Sequence, residues 1–221
     1  MYKLARQHNT GYIISGTNVV TEYIMPSSWL YHKMDFANLK DIHQKYGKIK
    51  LKTYPTFDFK KYVYFSAVLR LTPISILNYV PYNKSAVKEI IAKELGWRDY
   101  GGKHYESVFT KFYQAYILPQ KFKIDKRKAH LSTLICSGQL SKEEALKQLE
   151  EPLYQEADLK TDKEYVLKKF GLSEPEFEAI MQLPVQKHEH FKMDKHLKES
   201  YMNFLRTTEP IRKAVKKILS R

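Results

Sequence analysis

Three stretches of the chain group side chains able to do chemistry on an anionic ligand. In the first, Ser15-Gly16-Thr17-Asn18 follows the apolar run Tyr12-Ile13-Ile14, and Glu22 lies four residues beyond Asn18. Ligands of open α/β sheets bind outside the carboxyl ends of strands. At such a place Gly16 permits close backbone approach, Thr17 and Asn18 offer polar contacts, and Glu22 can hold a divalent cation beside phosphates. The same residues also make an ordinary turn, and pattern alone leaves both readings open.

The second stretch is Tyr100-Gly101-Gly102-Lys103-His104-Tyr105-Glu106-Ser107, with Thr110 and Lys111 one turn on. Two glycines ahead of a helix let backbone N–H groups converge, and a helix N-terminus favours an anion. Lys103 adds a point charge, while His104 and Glu106 are acid–base or hydrogen-bonding candidates. The third stretch, Lys121 to His130, sets five Lys or Arg residues against one Asp, with Phe122 and Ile124 between them. It fits phosphates of a nucleotide sugar, an RNA backbone or simply a solvated face.

Two further features carry less chemistry. His188 and His190 are two apart and do not share a helix face, so with His196 they lack zinc-helix spacing. Cys136 is the only cysteine, which excludes an intramolecular disulfide, and its Leu-Ile-Cys-Ser setting reads as a small core residue.

The elements that must position these residues are mostly helical. Residues 2 to 8 read as the tail of an amphipathic helix, followed by a buried strand at Tyr12 to Ser15. Asp35 caps a helix to Tyr46. The apolar stretch Tyr62 to Leu77 reads as buried helix interrupted or restarted at Pro73. Asn83 or Ser85 caps a helix that reaches about Leu95 and stops at Gly96. A helix over 104–118 ends at Pro119. Ser141-Lys-Glu-Glu144 is a capping box, Asp162 starts a helix that Gly171 ends, and Ser173 starts another that stops before Pro184.

The 221 residues are 43% hydrophobic and 14% aromatic, enough to bury a core. The net charge of +14 attracts anions without choosing among nucleic acid, phosphorylated small molecules and acidic lipid. No export signal is visible and no apolar run is long enough to span a bilayer, so a cytoplasmic protein without membrane insertion is expected.

Set beside known families, these segments resemble the N-acetyl sugar amidotransferases. The resemblance rests on Ile13 to Glu22, Met25-Pro-Ser-Ser-Trp29, Leu77 to Asn83, Glu94-Leu-Gly-Trp97 and Tyr100 to Ser107. It continues through Leu118-Pro119, Phe122 to His130, Ser137-Gly-Gln139 and Gly171-Leu-Ser173. It covers nearly the whole chain in one order. It implies a PP-loop ATP pyrophosphatase lineage, α/β with a Rossmann-like sheet. This predominantly helical chain would supply the C-terminal part of that domain at 1–138 and a small helical subdomain at 139–221.

The implied reaction uses ATP and Mg²⁺ to turn the acetamido group of an N-acetylated nucleotide sugar into acetamidino, for lipopolysaccharide O-antigen. Ammonia comes from a glutaminase and cyclase pair. Carried over position by position, Gly16, Thr17, Asn18 and Glu22 match the nucleotide-side motif, with Glu22 a catalytic and metal-ligand candidate. In the later block Lys103, His104 and Glu106 are catalytic candidates, and Gly101, Gly102 and Ser107 phosphate or sugar contacts. Lys126, Arg127 and His130 are further cofactor-binding candidates.

The chain departs from the family in lacking the Ser-Gly-Gly-x-Asp-Ser loop and the CxxC pairs. Activity of the isolated chain is therefore not expected. A truncated gene model, one half of a split enzyme (the other half carrying the PP-loop) and a remnant all fit. Alternatives are a tRNA-modifying PP-loop protein, a basic nucleic-acid-binding module, or a non-catalytic subunit docking the glutaminase. Glu174, Glu176 and Glu178 crowd the second of two short C-terminal helices, so nucleic acid is not the expected partner.

Overall fold

In chain order the elements are α1 (Tyr2–Gln7), β1 (Tyr12–Ser15), α2 (Val19–Glu22), α3 (Phe36–Tyr46), α4 (Phe59–Val63), β2 (Thr72–Ser75) and α5 (Lys84–Leu95). Then follow α6 (Val108–Phe112), α7 (Leu118–Phe122), α8 (Lys126–Cys136), α9 (Lys142–Glu150), α10 (Glu156–Phe170), α11 (Glu174–Gln182) and α12 (Lys195–Thr207). This computed structural model describes residues 1–30, 34–101, 105–211 and 213. The chain is predominantly helical, as the sequence leads one to expect, and β1 and β2 pair as a two-stranded sheet.

Two compact units interleave along the chain rather than following one another. One holds residues 1–13, 31–73 and 186–221; the other holds 14–30 and 74–185.

In the first unit, Ala5, Phe65 and Leu71 are buried with Tyr2, Ile13 and Phe57 packed on them. Tyr2 stacks on Phe57 at 4.8 Å between ring centroids, worth about 0.5–1.5 kcal/mol beyond area burial. The buried face of α3 is polar. Asp35, Asn38 and Asp41 are 6%, 4% and 6% exposed, whereas Ile42 is 38% exposed. Those three side chains grip the backbone of residues 192–194. Asp41 accepts from Lys192 N–H at 3.2 Å, Asp35 from Asp194 N–H at 3.1 Å, and Asn38 donates to the Lys192 carbonyl at 3.3 Å. Buried carboxylates hold because donors meet them.

In the second unit Phe112, Val166, Leu167 and Phe177 form the core, with Phe112 fully buried. Lys111, next to Phe112, reaches Asp162 at 3.1 Å and Asp158 at 3.4 Å over the ring of Tyr154. Burial pulls its ammonium pKa down, but the two carboxylates outweigh that and leave it raised.

Several sequence expectations are corrected. The expected 104–118 helix does not end at Pro119. Helical backbone runs from Val108 to Phe122 through a π turn at Tyr113–Ile117, with Pro119 inside α7. A proline ring clashes with the carbonyl four residues back, and the wider turn just before it absorbs that clash.

Tyr62–Leu77 is not one interrupted helix. A π turn at Tyr64–Val68 ends it, Arg70 takes a left-handed φ of 51°, and Pro73 lies in strand β2. The expected buried strand β1 has only Ile13 and Ser15 half-buried, while Tyr12 and Ile14 are exposed. Asp162 does not start a helix but lies in the middle of α10, which begins at Glu156 with acidic residues in its first turn. The caps at Asp35, Asn83, Ser141 and Ser173 stand where expected.

Candidate functional site

The single turn α2 is fixed at both ends by side chains, and Thr17, Asn18, Glu22 and His130 gather around it. Asn18 accepts from both the N–H and the hydroxyl of Thr21, each at 2.9 Å, so it is a helix N-cap. The Val19 N–H donates to Asn78 Oδ1 at 3.0 Å. Just before α2, the Thr17 hydroxyl lies 3.0 Å from Ser15 Oγ and 2.8 Å from Ser75 Oγ. Three hydroxyls therefore meet where β1 and β2 end. Gly16 between them is exposed, with open space where a side chain would begin.

The far end of α2 is held by α8. The Ile24 N–H donates to Thr133 Oγ1 at 3.1 Å, and that hydroxyl donates to the Ala129 carbonyl at 3.0 Å. His130 Nδ1 lies 3.2 Å from the Thr21 carbonyl, and its Nε2 lies 3.0 Å from Lys84 Nζ. A carbonyl only accepts and an ammonium only donates. Nδ1 therefore carries the hydrogen and Nε2 presents its lone pair to Lys84. Lys84 opens α5, where its own N–H donates to Gln139 Oε1 at 3.0 Å. Glu22, the last residue of α2, is exposed.

Cys136 is exposed rather than a core residue. It lines a shallow cavity of about 310 Å³ with Val19, Tyr23, Thr133 and Ser137. It is the last residue of α8, where the helix end leaves the side chain open.

The second expected stretch is only partly visible, because Gly102, Lys103 and His104 lie outside the described residues. On its near side, Gly101 adopts φ +83°, which favours glycine, and its N–H donates to Asp99 Oδ1 at 3.0 Å. Lys88 binds the other Asp99 oxygen at 2.6 Å. Lys88 first and the Gly101 N–H second hold the Asp99 carboxyl below its ordinary pKa. On the far side, Ser107 caps α6 by accepting from the Thr110 N–H at 3.3 Å, and Glu106 beside it is exposed.

The basic third stretch is largely spent inside the molecule. Lys121 donates to the carbonyls of Ile180, Met181 and Leu183 at 2.6–3.0 Å, closing the C-terminus of α11. Arg127 donates to the carbonyls of Gln148 and Glu151 at 3.1 and 2.7 Å, closing α9. Helix C-termini carry unsatisfied carbonyls and partial negative charge, so cations belong there. Lys126 occupies the first turn of α8.

The structure thus brings Thr17, Asn18, Glu22 and His130 around α2, and it gives Arg127 and Ser107 structural partners. Sequence reasoning missed Ser75, Asn78, Thr21, Lys84 and Thr133. The signal for Asn78 and Lys84 was their place within and just after Leu77 to Asn83, and that for Thr21 its place within Ile13 to Glu22. Nothing local marked the others.

Residues 106–206 match the family model described as LPS biosynthesis protein WbpG-like, C-terminal domain. Neither the curated proteins nor the solved structures contain a match to the chain. The matched stretch, which is similar to that family, runs from α6 to α12 and contains Glu106, Ser107, Lys126, Arg127 and His130. Through His130 it meets Thr21 and Lys84, which precede it in the chain.

For the Mg²⁺ that the resemblance implies, no three His, Cys, Asp or Glu side chains gather among the described residues. Glu22 would hold such an ion only together with oxygens of a phosphorylated ligand, as Mg²⁺ sites with one protein carboxylate do.

Proposed function

We propose that this chain contributes the C-terminal portion of an N-acetyl sugar amidotransferase acting in lipopolysaccharide biosynthesis. The WbpG-like match over 106–206 supports the lipopolysaccharide role. The observation that carries the site is the meeting of three separate segments, Ser15–Glu22, Ser75–Lys84 and His130, around one helical turn.

In the proposed reaction the acetamido oxygen of an N-acetylated nucleotide sugar attacks the α-phosphorus of ATP, and pyrophosphate leaves. Ammonia then adds to the activated carbon, and AMP departs with the former amide oxygen, leaving an acetamidino group. An amide carbonyl is a poor electrophile, and adenylation makes its oxygen a leaving group. Such a site works by orientation and by donors aimed at developing charge. The Ser15, Thr17 and Ser75 hydroxyls, with Lys84 and Glu22, are the chain's contribution to binding and orienting the phosphorylated ligand.

The 221 residues hold no Ser-Gly-Gly-x-Asp-Ser loop. The activity is therefore assigned to an assembly that also contains such a loop and a glutaminase and cyclase pair to deliver ammonia. The test is AMP formation by that assembly from ATP, ammonia and an N-acetylated nucleotide sugar. Glu22→Ala and Lys103→Ala should lower it; unchanged turnover removes both residues from the site. Three of the basic residues add nothing to a nucleic-acid role, since Lys121 and Arg127 cap helices and Lys163 is paired with Glu174 and Glu178, each at 2.8 Å.

A further inference from the structure

The two compact units differ sharply in charge. The unit of residues 1–13, 31–73 and 186–221 holds 21 Lys and Arg against 7 Asp and Glu, while the unit of 14–30 and 74–185 holds 17 of each. Together they make the 38 against 24 of the whole chain, so the entire excess of +14 belongs to the first unit. The residues gathered around α2 lie in the neutral unit. The excess therefore needs an explanation outside that site.

Several carboxylates of the basic unit are also withdrawn from its surface. Asp35 and Asp41 are buried against the backbone of residues 192–194, and Asp58 caps α4. Glu209 is paired with Lys213 at 2.8 Å. What remains outside is mostly cationic.

In one loop those cations are interleaved with apolar side chains. After α3, Lys48-Ile49-Lys50-Leu51-Lys52-Thr53-Tyr54 is exposed throughout and belongs to no helix or strand. The Lys52 N–H donates to the Lys50 carbonyl at 2.9 Å, so the chain turns at Leu51. Ile49, at 82%, is the most exposed large apolar side chain among the described residues. No ion pair among the described residues engages Lys48, Lys50 or Lys52. The same unit exposes Leu197 and Phe204 of α12 and then Ile211, seven residues apart and each more than half exposed. Loop and α12 leave from one junction, where Tyr46 at the end of α3 meets Phe191 edge-on at 6.4 Å. Residues 212–221 add five Lys or Arg and no Asp or Glu.

The side-chain types select the kind of anion. Of the 21 cations in the basic unit, 16 are lysines. Nucleic acid rewards the arginine fork at phosphates and aromatic stacking at bases. Exposed isoleucine and leucine between lysines fit hydrocarbon instead. Lysine stems lie along apolar surface while their ammoniums stay among headgroups, which lets Ile49 and Leu51 enter a lipid interface.

We infer that the basic unit docks peripherally on an anionic lipid surface, with the Lys48–Tyr54 loop as its principal contact. Such docking needs no spanning helix and does not depend on the proposed reaction.

The experiment sediments the 221-residue chain with vesicles of phosphatidylcholine containing about one-third phosphatidylglycerol, against phosphatidylcholine alone. The chain binds the anionic vesicles only, and binding falls as salt rises. Lys48→Glu/Lys50→Glu/Lys52→Glu lowers the partition coefficient by about a hundredfold or more. The same charge change on the neutral unit, Lys142→Glu/Lys160→Glu/Lys168→Glu, lowers it far less. Ile49→Ser/Leu51→Ser, at unchanged charge, lowers it by about tenfold. No binding to the anionic vesicles, equal losses from the two triple variants, or undiminished binding by the serine pair overturns the inference. So does single-stranded RNA that displaces the vesicles and binds more tightly than they do. Thermal melts accompany each variant; should the loop triple fail to fold, Lys50→Glu alone and the serine pair decide.

Discussion

The Asp125 carboxylate that caps α8 also receives the Arg127 guanidinium at 2.9 Å and directs it to the last carbonyls of α9. One local pair therefore closes the start of one helix and the end of another. Bidentate contact fixes the plane of the guanidinium, which is why arginine rather than lysine suits the position.

Replacing Arg127 with alanine should therefore cost stability, about 1–3 kcal/mol for hydrogen bonds made by a charged group. Arg127→Lys should recover only part of it. Urea melts measure this, and pyrophosphate titration should show unchanged affinity. Weakened anion binding at unchanged stability would show that Arg127 contacts ligand instead.

Pro119 tests the π turn. A proline forced into a regular helix interior costs about 3 kcal/mol. Because Tyr113–Ile117 already widens the helix ahead of the ring, Pro119→Ala should change stability by less than about 1 kcal/mol. A gain near the full penalty would mean that the turn does not relieve the ring.

These two features bear on what was legible in the sequence. Caps were readable because the cap residue and its N–H partner lie three residues apart: Asp35 with Asn38, Asn83 with Ala86, Ser141 with Glu144. The site was readable only in part. Thr17, Asn18, Glu22 and His130 stood out by type, but the bonds that unite them span long separations: 58 residues from Thr17 to Ser75, 59 from Val19 to Asn78 and 46 from Lys84 to His130. No periodicity carries such contacts. The polar buried face of α3 was missed for a related reason. Phe36, Leu39 and Ile42 stand at the spacing of one helix face, while backbone donors at 192–194, far along the chain, reward Asp35 and Asp41 on another. Lys121 and Arg127 read as a ligand patch because helix ends that need cations cannot be seen from the cations alone.

Asp41 should make stability fall in acid. Its carboxyl pKa lies below the ordinary 3.8, first through Lys45 at 2.8 Å and then through the Lys192 N–H. A lowered folded pKa gives stability that is present above the unfolded value and lost as pH falls through the folded one. Between pH 4 and the acid limit the unaltered chain should therefore lose melting temperature faster than Asp41→Asn. Parallel acid profiles would remove Asp41 from the clamp on residues 192–194.

Tyr154 makes the corresponding statement in alkali. Burial first, and its bond to Asp162 at 3.0 Å second, raise its phenol pKa above the ordinary 10.0. A raised folded pKa gives stability that is complete below pH 10 and lost as pH climbs beyond it. Tyr154→Phe should flatten that alkaline loss in thermal melts. An unchanged profile would place the titration elsewhere.

The most direct test of the central claim follows the amide oxygen. The chain is combined with a protein carrying the Ser-Gly-Gly-x-Asp-Ser loop, with ATP, ammonia and an N-acetylated nucleotide sugar labelled with ¹⁸O in its acetamido group. The account expects labelled AMP and an acetamidino sugar from the combination, and neither from the chain alone. AMP released without label, AMP from the isolated chain, or turnover that needs RNA in place of the sugar would contradict it.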